Sequence, residues 1–176
     1  GSEMCIRDSS YAFRGLSVTE GLSDLVVNAI YKDSLGYVWL GTGNSLECFD
    51  GIHFKHYLIP GSDEKLKRVN AIAEMPGNEL WMGNGSGLWR VSKQKNSLEP
   101  IARETIGYAV RSLLHDGKGI LYIGTERGLF IYKEGSLNQI MIDPNMLSAA
   151  NSIGGLNLGE DGILWMATEN GLYSLQ

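Results

Sequence analysis

Three histidines, two cysteines and a few acidic glycine turns are the groups in this chain that could do chemistry. His53 and His56 stand three apart in a run of strand formers, where side chains alternate faces, so their imidazoles point oppositely. His115 stands alone, and no Cys/His set has zinc spacing. Cys5 and Cys48 are no disulfide framework, and two free thiols is the plainer reading. Gly83-Asn84-Gly85-Ser86-Gly87 superficially resembles a phosphate loop, yet it lacks the Lys-Ser/Thr pair and the helix that would follow. Asp116-Gly117-Lys118-Gly119 and Glu160-Asp161-Gly162 supply too few oxygens for calcium. An Asp at such places hydrogen-bonds the turn backbone instead. No catalytic, cofactor or metal arrangement emerges, and the chain is not expected to be an enzyme.

What positions these groups is a repeat. Reading outward from Trp39, Val27, Ile30, Gly36, Gly41 and Leu46 recur at fixed offsets. From Trp81 the same offsets give Val69, Ile72, Asn78, Gly83 and Leu88. From Tyr122 they give Val110, Leu113, Gly119, Gly124 and Leu129, and from Trp165 they give Ile153, Leu156, Gly162, Ala167 and Leu172. The anchors are 42, 41 and 43 residues apart.

Each copy parses into short apolar runs divided by turn signals. In the first, 27–31 meets Asp33-Ser34-Leu35-Gly36, 37–41 meets Gly43-Asn44-Ser45, and 46–49 meets Asp50-Gly51 before a fourth run, 53–59. Asp-Gly favours hairpin geometry, and runs so bounded are strands. A four-stranded antiparallel unit of about 40 residues is the size of a propeller blade. The fold class is therefore all-β, a β-propeller of four such blades, cut from a larger propeller. The blades span about 27–59, 69–102, 110–142 and 152–176, the last ending after its third strand. The segment 11–18 has strand character and is a candidate closing strand, whereas 1–10 matches nothing later and reads as a non-native or disordered leader.

Two places compete for helix. Leu66, Val69, Ile72 and Ala73 have helical spacing, but the register with Val27, Val110 and Ile153 demotes it. Single helical turns remain for 62–67 and 145–150. The anchor aromatics should fill the space between blades, and the glycines after them mark close approach or an unusual φ.

Composition narrows the function. The chain has 176 residues and a net charge of −5, which argues against a nucleic-acid binder. Its 23 glycines are nearly twice the usual share and fit a turn-rich fold. No apolar run approaches the length of a membrane span.

The stretch from Phe13 to Tyr57 resembles the start of the two-component regulator propeller, the extracytoplasmic sensor of Bacteroides-type hybrid two-component systems. The residues carrying the resemblance are Gly21-Leu22-Ser23, Val27, Ile30, Asp33, Gly36, Trp39-Leu40-Gly41-Thr42, Leu46, Asp50-Gly51, Phe54 and Tyr57. Later repeats fit more loosely, at Trp81-Met82-Gly83, Tyr122-Ile123-Gly124-Thr125 and Trp165-Met166-Ala167-Thr168. The resemblance implies a periplasmic sensing domain, a ligand that is often an oligosaccharide, and many more blades than four. It carries no invariant ligand residues onto this chain.

In a propeller the turns between second and third strands gather on one face with the links between blades. Here that face carries Asn44, Ser45, Asn84, Ser86, Tyr108, Glu126, Arg127, Glu169 and Asn170, with links at 60–68, 103–109 and 143–151. Amides, carboxylates and an Arg suit a hydroxyl-rich ligand or a partner protein. A homodimer, or the remaining blades of a parent protein, are the partners to expect. A scaffold without a small-molecule ligand is the alternative.

Overall fold

The structure is a computed structural model that describes residues 13–60, 66–101 and 106–176. Blade 1 comprises β1 (Val27–Lys32), β2 (Val38–Thr42), β3 (Leu46–Phe49) and β4 (Phe54–Tyr57). Blade 2 comprises β5 (Val69–Met75), β6 (Glu79–Asn84), β7 (Gly87–Ser92) and β8 (Ser97–Ile101). Blade 3 holds β9 (Val110–His115), β10 (Ile120–Thr125), β11 (Gly128–Lys133) and β12 (Ser136–Ile140). Blade 4 holds β13 (Ile153–Leu158), β14 (Leu164–Thr168) and β15 (Gly171–Leu175). Three sheets thus have four strands and the last has three, every neighbour antiparallel and in chain order. The stretch that competed for helix, from Val69 onward, is β5. Around it, 62–65 lie outside the described residues. Of the other expected helical turn, a short 3-10 segment forms at Ala149–Asn151.

The first strand of each blade packs against the first strand of the next, from β1 through β5 and β9 to β13. That is the radial stacking of a propeller. Each of these inner strands has a register irregularity at its start, between Val27 and Ala29, Val69 and Ala71, Val110 and Ser112, and Ile153 and Gly155. A bulge bends the strand and re-aims its first side chain. The re-aimed residues Val69, Val110 and Ile153 are fully buried. Each drives its β-branched side chain against a glycine of the preceding blade: Gly41, Gly83 and Gly124 respectively. A Cβ at any of those glycines would overlap the incoming side chain, so close approach, not φ, explains them.

Trp39 and Trp81 lie in the interblade cores as expected, at 1% and 5% exposure. The Trp39 indole sits 5.1 Å from the Tyr57 ring, and Trp81 lies 4.8 Å from Tyr132 of the next blade. The expectation of a buried anchor fails at Trp165, which is 41% exposed. The reason is positional: among the described residues no blade follows blade 4. Leu172 is 66% exposed there, while its counterparts Leu46, Leu88 and Leu129 are buried. At the other end Ile30 is 73% exposed and Ile72 only 8%. The four blades therefore form an arc with an uncovered face at either end. Of the candidate closing strand, 11 and 12 lie outside the described residues, and 13–17 carry no strand. Ser17 instead caps a 3-10 turn at Val18–Glu20 in a capping box with Glu20.

Candidate functional site

The linker face follows from the strand ladders. Thr42, Thr125 and Thr168 end the second strands, and each hydroxyl donates to a carbonyl three residues on: Ser45 (3.2 Å), Gly128 (2.8 Å) and Gly171 (2.9 Å). Asn84 takes the same place in blade 2, where its Oδ1 accepts from the Ser86 N–H (2.8 Å) and from Trp89 Nε1 (3.1 Å). These bonds close the turns that carry most of the residues expected to meet a ligand.

Those residues divide. Asn84 is 1% exposed and serves the fold, although its Nδ2 has no partner. Asn44 is half-buried and accepts weakly from Ser23 and Thr42 hydroxyls, while Ser45 is buried beside Glu47. Ser86 and Arg127 give their backbone N–H groups to turn caps. Arg127 also donates from Nη1 to its neighbour's carbonyl at 3.5 Å. Glu126 accepts from the Ala109 N–H at 3.5 Å. The Tyr108 hydroxyl reaches Met146 Sδ at 3.7 Å. Asn170 donates to the Tyr173 hydroxyl at 3.4 Å. Glu169 meets Arg111 at 2.5 Å, an ion pair bridging blades 3 and 4. The hydrogen bond from Arg111 is the main reason the Glu169 carboxyl lies below the usual carboxylate range.

The arrangement does not gather these residues into one pocket. The cleft on this face has a volume of about 660 Å³ and is lined by Lys67, Arg68, Asn70, Gly85, Arg111 and Gly154. Of the residues named from sequence, Glu169 touches this lining through Arg111, and Glu126 touches it through the backbone of Ala109, a further lining residue. Lys67 and Arg68 lie in the link expected on this face. Asn70, Arg111 and Gly154 were missed. They occupy one repeated position, the residue after each re-aimed Val or Ile, with Asn28 as its blade 1 member. A polar residue recurring immediately after the Val at this position, Asn28, Asn70 and Arg111, was the signal that would have found the two polar ones, and Gly154 carries no such signal. Asn70 Nδ2 donates to the Val110 carbonyl (2.8 Å), so this layer also ties neighbouring inner strands together.

The cleft is basic on a chain of net charge −5. Its cations and amide are donors suited to carboxylates, sulfates or hydroxyls. Among the described residues no three His, Cys, Asp or Glu side chains gather as a metal would require. His53 lies 3.6 Å from Asp50 and His56 3.8 Å from Glu47, each in blade 1 and outside the cleft lining. Cys5 lies outside the described residues. No helix among the described residues is long and apolar enough to cross a membrane.

These features define an arc of a β-propeller with a basic cleft where its linkers converge. Residues 21–44 match the two component regulator propeller family. The extracellular domain of a hybrid two component system from B. thetaiotaomicron (BT4673) superposes with a TM-score of 0.72 at 22% identity. The match covers 88% of this chain and 22% of that one. A second such domain, BT3049 of the same organism, gives 0.55 at 18% identity over 93% and 30% of the two chains. Virginiamycin B lyase from Staphylococcus aureus gives 0.65 at 18% identity, over 89% and 57%. The chain thus spans about a fifth of the length of the first solved structures it matches. No curated protein matches it.

Proposed function

We propose that this chain is part of the extracytoplasmic, periplasmic sensor of a hybrid two-component regulator, non-catalytic, and that its linker-face cleft receives an oligosaccharide bearing acidic groups. The observation that carries the reading is the cleft itself: Lys67, Arg68 and Arg111 converge on about 660 Å³, within the size range of small-ligand sites. Its lining is donor-rich and carries no Ser, Cys, His, Asp or Glu side chain. The family repeat at 21–44 and the likeness to extracellular domains support the sensing role. A likeness to a lyase leaves catalysis open to test, and the cleft lining contains no histidine.

The test is thermal denaturation with acidic and neutral glycan fragments, since a ligand that binds the folded state raises the melting temperature. Acidic fragments should raise it, and Arg111→Gln should erase the rise. A rise unchanged in Arg111→Gln and Lys67→Gln would discard the cleft.

The second reading is a scaffold for protein association, favoured by the uncovered end faces at Ile30 and Leu172. Self-association without any glycan-induced rise would select it.

A further inference from the structure

A second cavity of about 430 Å³ opens at the opposite end of the blades, between blades 1 and 2. Its floor is aromatic, formed by Tyr37, Trp39 and Tyr57, and Lys55 and Lys93 stand at its walls. The repeat explains why it lies beside blade 1. Cross-strand ladders place Cys48 and Lys55 beside Trp39 in blade 1, and Arg90 and Glu99 beside Trp81 in blade 2. In blade 3 the same places are held by Ile131 and Asn138 beside Tyr122. Arg90 fills its rung in blade 2 and is met by Glu79 at 3.4 Å and Glu99 at 2.8 Å. Blade 1 has the reverse pattern: Cys48 is too short to fill the rung, Tyr37 replaces Glu79, and Lys55 replaces Glu99.

The cations of this hollow are undersupplied with carboxylates. Lys93 Nζ lies 5.8 Å above the Trp39 ring and 3.8 Å from Asp33 Oδ2. Asp33 is already engaged by Trp39 Nε1 (2.9 Å) and by the backbone N–H groups of Leu35 (3.0 Å) and Tyr37 (2.9 Å). Lys55 Nζ lies 5.6 Å above the Tyr57 ring, and among the described residues it forms no ion pair. Asp50, at the rim, accepts from the Ile52 and His53 N–H groups and faces the His53 ring.

We propose that this hollow binds a small carboxylate on a six-membered ring whose face can lie against an aromatic side chain. Its charge is met by Lys55 and Lys93, and its body lies against Tyr37 in the space that Arg90 occupies one blade further on. Blade 2 supplies a cation to two carboxylates from within. At the hollow, Lys55 of blade 1 and Lys93 of blade 2 bring two cations together, and the carboxylate nearest Lys93, Asp33, is already committed to Trp39 and its own turn. A uronic acid and an aryl carboxylate share this chemistry. The site is separate from the linker-face cleft and does not depend on it.

The test is calorimetric titration of the chain, in an Arg111→Gln background that disables the cleft, with glucuronate, 4-hydroxybenzoate and their neutral counterparts glucose and 4-hydroxybenzamide. At least one acid should bind, with its neutral counterpart about tenfold weaker or more. Binding by glucuronate alone names a sugar acid, and by 4-hydroxybenzoate alone an aryl acid. Lys55→Gln, an exposed change, and Lys93→Gln, at a half-buried lysine, should each weaken it about tenfold, with circular dichroism checking that each variant keeps its fold. Cys48→Arg, which copies blade 2, should abolish it while the circular dichroism stays unchanged. Should that variant unfold, the two lysine variants carry the test. Equal binding of acid and neutral compound, binding that survives both lysine changes, or no binding at millimolar concentration would overturn the proposal.

Discussion

Gly155 faces Ala167 across the β13–β14 ladder, the reverse of the order in the other blades. There the second-strand residue is the glycine: Gly41 faces Ala29, Gly83 faces Ala71, and Gly124 faces Ser112. The pair keeps one small side chain and one hydrogen in every blade, but blade 4 puts the methyl on the outer partner. Where a next blade drives in a Val or an Ile, the second-strand partner must be the glycine. Blade 4, on which no blade packs among the described residues, carries alanine there.

Gly83→Ala should therefore destabilise the chain by about 1–3 kcal/mol, the usual cost of forcing a methyl into a packed core. Ala167→Gly lacks that clash and should cost about 1 kcal/mol at most. Urea denaturation of the two variants checks the contrast. Equal effects would mean that Val110 is not seated on Gly83.

Equivalent isoleucines at the arc's end and in its interior should behave differently. Ile72→Ala, at 8% exposure, should cost about 2–5 kcal/mol. Ile30→Ala, at 73% exposure, should stay within about 0.5 kcal/mol. Ile30→Glu and Leu172→Glu should instead reduce self-association, read by light scattering, without lowering the melting temperature.

Asp33 organises the first turn of blade 1 and anchors the indole of Trp39. Asp33→Ala strips the acceptor from three donors, of which Trp39 Nε1 is buried. It should cost about 1–3 kcal/mol, as leaving a buried donor unsatisfied does. Trp39 fluorescence, isolated by replacing the other tryptophans with phenylalanine, should shift toward that of a wetter indole.

Glu169 gives a pH signature. Its carboxyl is held below the ordinary glutamate value, first by the hydrogen bond from Arg111 and then by Ser152 and the Arg111 charge. A depressed acid adds stability that is present above its unfolded pKa, near 4.5, and lost as pH falls through the lower folded value. The Glu169 side-chain resonance, followed by NMR, should titrate below pH 4.5 and return toward that value in Arg111→Gln.

The strands, their turns and their grouping into blades were legible in the sequence because each is set by local rules. Alternation over a few residues marks a strand, and Asp or Gly at a turn closes it. Val69, Val110 and Ile153 could thus be aligned with Val27 before any coordinate was known. Their fates could not, because burial belongs to the neighbour. Trp165 carries the same signal as Trp39 and is 41% exposed, since among the described residues no side chain from a further blade reaches it.

The candidate site was legible only as a face. Sequence placed the turns at one end of the blades and named Glu169, but the turns spend much of their polar capacity closing themselves, as Asn84 does. The cleft came instead from Lys67, Arg68, Asn70 and Arg111, drawn from one link and two inner strands. Distant segments converge on such a cleft only after the blades stack, so no periodicity along the chain records it. The hollow over Trp39 is similar: Cys48 is unremarkable in one dimension, and its smallness matters only because Lys93 of the next blade faces the gap it leaves.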